Sequence, residues 1–571
     1  MKRQLIFFVV GVFLTAVVAP VGAADPPWIS TGTKGLVASD SAYASQAGLE
    51  ILKAGGNAID AAVAVSFALG VTRPYSTGLG GGGFMIARFA DGRVVVQDFR
   101  ETAPAAATRD MYVEAAKRDA KHPSPSRIGH LAVAVPGLLA GRCQALKQFG
   151  TMPLARTMGP AIELAKSGFP VDQHYVDATH GKLAMYERHE WLKQVGSYVY
   201  RRHLREGRLP SVGERLVQPE LARLLEGIAD SGPDVFYRGP VAKAIVREMK
   251  ERGGIITEKD LADYKVGRRE PIVSTYRDYT LILMPPCSSG GVALAETLNI
   301  LDTVDLPGLF QRDPGLAVHY QVEAMKHAFA DRACWLGDSD FVQVPVALLT
   351  SKPYARQVAA RIDPHKCLDL DAYGSVEIVD DAGTSHFCVV DRWGNVVVST
   401  ETINTTFGSL AAIDEWGLIL NNEMDDFAGE PGKPNAYGLM HSDRNAIAPG
   451  KRPLSSMSPT IVLKDGQPYL LLGASGGPRI ISSVLNVLLF ITDYGMSLEQ
   501  AMLNPRPHHQ WRPDQVLFDA EPPQPIKLGL LDRGHELSDQ RRTGIVQAIL
   551  RTNEGWVGAS DPRKGGQPRG Y

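Results

Sequence analysis

The chain has 571 residues, 44% of them hydrophobic and 21% charged, a composition suited to a soluble globular protein that buries a large core. Sixty basic residues stand against 62 acidic ones, so no global field favours nucleic acid or an anionic membrane. The five cysteines, Cys143, Cys287, Cys334, Cys367 and Cys388, are odd in number and far apart with no C-x-x-C pair, which signals neither a disulfide framework nor a zinc site.

In chain order, Lys2 and Arg3 precede an apolar run from Leu5 to Ala19, and the small residues Gly22, Ala23 and Ala24 follow. That order predicts a secretory signal peptide over residues 1–24, whose apolar run of about 15 residues is short for a bilayer span. The mature protein is therefore expected to be periplasmic or secreted and free of the membrane. Ser39-Asp40 predicts the cap of a helix running to about Ala54, stopped by Gly55 and Gly56. Asn57 with Asp60 predicts a capping box opening a second, very apolar helix to about Leu69. Residues 78–83, G-L-G-G-G-G, formally satisfy a dinucleotide fingerprint. A helix precedes them, however, and a strand, a D-G turn and a second strand follow, the reverse of what that fingerprint requires. The glycines are better explained as letting the backbone pass close to packed neighbours.

Further helices are predicted near 138–149, 154–167, 218–229, 240–252, 292–303 and 315–335, and strands near 84–99, 131–135 and 278–284 and densely from 384 onward. Arg201, Arg202, Arg205 and Arg208 read as a solvated helix face. Helices flanking a strand-rich centre fit an α+β, four-layer αββα sandwich; from composition alone a doubly wound α/β fold fits as well.

The stretch 384–404 predicts a hairpin turning at Gly394-Asn395. Period-two parity sets Thr384, His386, Cys388 and Val390 on one face of the first strand, and Val396, Val398, Thr400, Thr402 and Asn404 on one face of the second. That face is polar for a buried hairpin, although β-branched threonines also simply suit strands.

Gly383-Thr384-Ser385-His386, the block Asn404 to Gly408, Asn421 to Phe427, Pro453 to Pro459 and Gly476-Gly477 together resemble the γ-glutamyltransferase (γ-glutamyltranspeptidase) family of N-terminal nucleophile hydrolases, in the family's order. Gly55 to Ala62, Asp98 to Glu101 and Pro285 to Gly291 extend the likeness to roughly residues 33–571. The resemblance implies the αββα fold of that class and self-cleavage between Gly383 and Thr384. Two subunits, 25–383 and 384–571, would then form one αββα unit. No cofactor and no metal are implied.

A free Thr384 α-amine has an ordinary pKa of about 7.7–8.0 and can accept the proton of its own hydroxyl. By motif position, Thr402 would orient Thr384, and the main-chain N–H groups of Gly476 and Gly477 would form an oxyanion hole. Arg100, Ser455 and Ser456 would hold a substrate α-carboxylate; Asn404, Glu423 and Asp426 would hold its α-ammonium. Glutathione and other γ-glutamyl compounds are the expected donors, with water, amino acids or peptides as acceptors. The Ala428–Pro453 stretch, with Tyr437, corresponds to a lid. Ser385, Ser475 and Glu423 depart from the commoner family residues, Glu423 being a carboxylate where some members carry an amide. His386, His508 and His509 read as core or hydrogen-bonded histidines rather than metal ligands. The rival readings are a cephalosporin or glutaryl acylase of the same fold, a capsule-polymer amidase, and a non-catalytic exported binding protein.

Overall fold

The computed structural model describes residues 26–118, 124–370, 383–429, 435–439, 441–542 and 544–571; the expected signal peptide at 1–24 lies outside the described residues. Two large sheets dominate them, each of seven strands. In the first, the order across the sheet is Ile29–Gly32, Gly555–Ser560, Ile545–Thr552, Gln467–Ser475, Thr460–Lys464, Tyr279–Leu283 and Ile272–Tyr276. In the second it is Arg569–Gly570, Leu36–Ser39, Ser385–Val390, Val396–Thr402, Gly82–Arg88, Val94–Asp98 and Gly267–Arg269. Among the described residues every strand pairing in the two sheets is antiparallel, which excludes the doubly wound alternative. Both sheets contain strands from before and from after residue 384, paired with one another.

The predicted hairpin sets how the layers meet. Ser385–Val390 pairs with Val396–Thr402 in the register His386 to Thr400 and Cys388 to Val398. Cys388 Sγ lies 3.6 Å from the Gln547 carbonyl, so this face of the second sheet looks onto the first. Phe387, one residue away, points instead to Arg142 on the helix Leu138–Phe149. Helices Ala42–Lys53, Ala58–Thr72, Leu138–Phe149 and Leu154–Ser167 cover the outer face of the second sheet. Helices Gly290–Leu301, Pro314–Trp335 and Arg479–Thr492 cover that of the first. The result is the α+β, four-layer αββα sandwich.

Local signals translate directly in places. The Asn57 side chain accepts from the Ile59 and Asp60 N–H groups, and the Asp60 carboxylate accepts from Asn57 N–H, closing the capping box of Ala58–Thr72. The preceding helix starts at Ala42 with Ser41 as cap, not Ser39-Asp40: the Asp40 carboxylate is committed to Lys564 at 2.6 Å and the Ser39 hydroxyl to Ser45. The strand expected at 131–135 is absent; His130–Ala132 is a 3-10 turn. There the side chain of Asn421 takes the place of a neighbouring strand, bonding both Ala134 N–H (3.0 Å) and Ala134 C=O (2.8 Å). The glycine run does what close packing requires: a Cβ on Gly80 would sit 2.1 Å from the Ile419 carbonyl, and one on Gly81 2.0 Å from the Thr402 carbonyl. Arg201, Arg202 and Arg208 are paired with Asp414, Glu220 and Glu214 and form no open basic patch.

Arg142 ties a helix to the hairpin. Its guanidinium, fully buried, reaches Glu401 at 2.8 Å, Ser399 Oγ at 2.6 Å and Ser66 Oγ at 2.9 Å, and stacks over Phe99. Breaking one partner of a buried pair strands the other charge in low dielectric. Arg142→Met is therefore expected to lower stability by about 3–5 kcal/mol, read as a reduced chemical-denaturation midpoint. A loss under about 1 kcal/mol would contradict this account.

Candidate active site

Thr384 is buried immediately before the inner hairpin strand, and the Ser385 to Glu401 register, continued by one residue, sets it across from Thr402. The two hydroxyl oxygens are 3.3 Å apart. In the uncut chain both are aimed at the Gly383 carbonyl: Thr384 Oγ1 lies 2.5 Å from its oxygen, and the Thr402 hydroxyl donates to it at 2.8 Å. Thr402 Oγ1 accepts in turn from Asn404 N–H at 2.7 Å, which fixes its orientation. The hydroxyl that parity placed opposite Thr384 thus also polarises the peptide bond preceding it.

Beyond Thr384 lies a small cavity lined by Arg100, Thr384, Thr402, Asn404, Glu423, Asp426, Tyr437, Ser455, Ser456 and Gly477, together with Leu439, Leu454, Met457 and Ile480. Residues distant in sequence converge here because the segment after Val94–Asp98 meets the 3-10 turn Glu423–Asp426 through Arg100. Arg100 Nη1 donates to Glu423 Oε1 at 2.6 Å and Nη2 to Asp426 Oδ2 at 2.5 Å. Burial opposes the guanidinium charge, but Glu423, Asp426 and Glu101 outweigh it and raise the Arg100 pKa, so Arg100 stays charged. Burial pushes the Glu423 and Asp426 carboxyls upward, against the pull of Arg100. A guanidinium flanked by two carboxylates in one cavity can hold a carboxylate and an ammonium on the same small molecule.

Asn404 is held at φ 75°, a conformation asparagine tolerates better than most residues, with its amide nitrogen on the Asn422 carbonyl. Ser455 and Ser456 line the opposite wall; Ser456 Oγ is 3.5 Å from Arg332. Gly476 (φ 127°) and Gly477 (φ 59°) join the strand Gln467–Ser475 to the helix Arg479–Thr492, so their N–H groups lie at that helix's N-terminal end. A Cβ on Gly477 would stand 2.5 Å from the Tyr437 ring. Tyr437 covers the cavity and donates from its hydroxyl to the Asn404 carbonyl at 2.8 Å, while Asn435 bonds Asp426 at 2.9 Å. Residues 430–434 and 440 of the expected lid lie outside the described residues. The space left under Tyr437 is about 20 Å³, room for a water molecule and not for an amino acid.

Three charged residues near the site carried no role in the sequence reading. Glu101 stands behind Arg100 at 3.8 Å; burial, opposed by Arg100, lifts its carboxyl to about 8. It closes the Asp98–Glu101 block of the family likeness, which assigned it no role of its own. Arg332 is fully buried on Pro314–Trp335, bonds Ser289 and Ser456, and is lowered by burial to about 10. Its helix also carries His319, Glu323, Lys326, His327 and Asp331, so one more charged residue there gave no distinctive signal. Lys564, from the C-terminal segment, donates to the Thr384 carbonyl at 2.9 Å, a contact nothing local in sequence announces.

The three histidines read as core or hydrogen-bonded groups all have hydrogen-bond partners: His386 bonds Thr400, His508 bonds Ser482 and Gln510, and His509 bonds Asp514, an acidic partner that spacing did not suggest. Among the described residues one buried group has ligand-like spacing, His319, Glu323 and His535. Lys326 Nζ lies 3.0 Å from Glu323 Oε1 and already compensates that carboxylate, and His319 and His535 bond each other at 2.7 Å.

A family model described as gamma-glutamyltranspeptidase matches residues 44–571. A glutathione hydrolase proenzyme of Escherichia coli (strain K12) is 44% identical over 540 residues, covering 93% of this chain and 90% of that protein. Among solved structures, the cephalosporin acylase from Bacillus halodurans superposes with a TM-score of 0.83 at 29% identity, over 98% of this chain and 99% of the other. The Helicobacter pylori gamma-glutamyltranspeptidase gives a TM-score of 0.53 at 39% identity, over 57% of this chain and 91% of that one.

Proposed function

From membership of the gamma-glutamyltranspeptidase family, to which this chain belongs, we infer that it is a glutathione hydrolase and γ-glutamyltransferase acting through Thr384 after self-cleavage. The observation that carries this reading is the pair of threonine hydroxyls on the Gly383 carbonyl, beside a cavity walled by Arg100, Glu423 and Asp426.

In the precursor, Thr384 Oγ1 attacks the Gly383 carbonyl carbon while Thr402 holds the carbonyl oxygen. The amide nitrogen takes up the proton that the Thr384 hydroxyl loses and leaves as the Thr384 α-amine, and water hydrolyses the resulting ester to a Gly383 carboxylate and a free Thr384. The products are the subunits 25–383 and 384–571. The new amine then serves as base for the same hydroxyl. With substrate bound, Oγ1 attacks the γ-carbonyl, the amine takes the hydroxyl proton and passes it to the departing amine, and an acyl-threonine forms. Gly476 and Gly477 donate N–H groups to the oxyanion. Water, or the amine of an amino acid or peptide, releases the glutamyl group.

The donor's α-carboxylate is held by Arg100, Ser455 and Ser456, and its α-ammonium by Asn404, Glu423 and Asp426. Entry requires Tyr437 to leave the Asn404 carbonyl, because the closed cavity is too small. The leader at 1–24 exports the protein to the periplasm or beyond, and no helix among the described residues is long and apolar enough to cross a membrane.

The acylase reading differs in one respect: a glutaryl group carries no ammonium. A wall with two buried carboxylates left without that partner disfavours such a substrate. Hydrolysis of γ-glutamyl-4-nitroanilide is expected to exceed that of the glutaryl anilide by at least about 10²-fold in kcat/KM. Parity between the two, or the reverse order, would assign the protein to the acylases.

A further inference from the structure

We propose that Lys564 is a positioning residue for the nucleophile's own base: its ammonium grips the Thr384 carbonyl and, by its charge, holds the α-amine of the cleaved chain in the proton-accepting form. The inference rests on the self-cleavage reading above.

Lys564 is buried, and Nζ makes three contacts: the Thr384 carbonyl at 2.9 Å, the Asp40 carboxylate at 2.6 Å and Ser76 Oγ at 3.5 Å. Burial lowers the Lys564 pKa and Asp40 opposes that fall. The carbonyl it grips belongs to the residue that carries the new amine, and covalent geometry keeps the two within roughly 3–3.5 Å. Asp40 touches the ammonium and makes no hydrogen bond to Thr384, so the positive end of the pair is the end that meets the chain terminus.

The other charged and titratable groups around it are accounted for. Arg73, at the end of Ala58–Thr72, is engaged with Asp172 and with the Asp40 and Lys564 carbonyls. Tyr75 bonds His174, whose pKa falls well below 6.5 through burial first and then through Lys564 and Arg73, so it stays neutral. From the hairpin come Ser385 and Thr402, which carry no charge, and across the cavity Arg100 is compensated by Glu423 and Asp426.

The chemical need is specific. An unperturbed α-amine is mostly protonated at pH 7 and then cannot take the hydroxyl proton. A neighbouring cation disfavours its charged form. Lys564 itself neither gains nor loses a proton in the reaction; it changes the fraction of enzyme that starts in the competent state.

The test is the pH profile of kcat/KM for the cleaved enzyme, with cleavage confirmed by intact mass. The acid limb of the wild type is expected at a midpoint below about 7.5, moving up by about 0.5–1 unit in Lys564→Met and by less than about 0.2 unit in Lys564→Arg. A cleaved Lys564→Met enzyme with a lower plateau and an unmoved midpoint would leave the lysine a purely structural part and overturn the proposal. Should Lys564→Met stay uncut, the wild type decides alone. The pH dependence of amine-reagent labelling at Thr384 should have a midpoint below the free value of about 7.7–8.0, and a midpoint at or above it refutes the inference. A wild type that is never cut would instead sink the self-cleavage reading.

Discussion

Thr384→Ala is expected to yield one uncut chain with no γ-glutamyl anilide hydrolysis above background, a loss of at least about 10⁴-fold. The wild type should instead separate into two pieces, the smaller spanning residues 384–571 and weighing about 20 kDa. The size of the side chain removed plays no part in this loss. One oxygen, Thr384 Oγ1, is the atom 2.5 Å from the Gly383 carbonyl oxygen and, in the proposed mechanism, also the atom that attacks substrate. In that mechanism its base would not exist until the 383–384 bond breaks, so a variant that cannot break the bond would lack both nucleophile and base. Thr384→Ser keeps the hydroxyl and is expected to cut slowly and retain partial activity. Thr402→Val should retard cleavage without abolishing it, since it removes the donor at 2.8 Å on the Gly383 carbonyl while Thr384 remains. Intact mass with N-terminal sequencing reads all three. Turnover by a preparation still joined at 383–384 would defeat the mechanism, and it is also what a fold-retaining binding protein with contaminating activity would show.

The features legible in sequence were those written in short-range periodicity. Alternation along 384–404 placed Thr384 and Thr402 on one face, and pairing His386 with Thr400 brings them opposite each other. The Asn57 and Asp60 spacing closed its capping box, and the helix-then-hairpin context of residues 78–83 excluded a nucleotide loop. What stayed hidden is held by long-range contacts that leave no local trace. Asn421 replaces a strand beside Ala134, so a run with strand-like residues at 131–135 forms none. Lys564 compensates Asp40 across more than 500 residues of chain, which moves the first helix cap to Ser41. Motif matching assigned Arg100 to one end of a substrate and Glu423 and Asp426 to the other, but it could not say that these groups bind one another when no substrate is present.

That mutual pairing makes Arg100 the second decisive position. Arg100→Met is expected to reduce kcat/KM for γ-glutamyl anilide by about 10²–10³-fold, chiefly through KM, while leaving cleavage at residue 384 intact. Two effects act in the same direction. The guanidinium that would meet the α-carboxylate is gone, and Glu423, Asp426 and Glu101 are left without the cation that faces all three. Unpaired, these buried carboxyls favour the protonated state, toward which burial already pushes them, and a protonated Glu423 or Asp426 attracts the substrate ammonium less. Arg100→Lys should recover little, because one ammonium cannot hold Glu423 and Asp426 through separate nitrogens at 2.6 and 2.5 Å and still offer a face to substrate. The pattern to look for is a raised KM on a normally processed enzyme. If Arg100→Met turns over γ-glutamyl anilide with an unchanged KM, the cavity under Tyr437 is not where the glutamyl head binds.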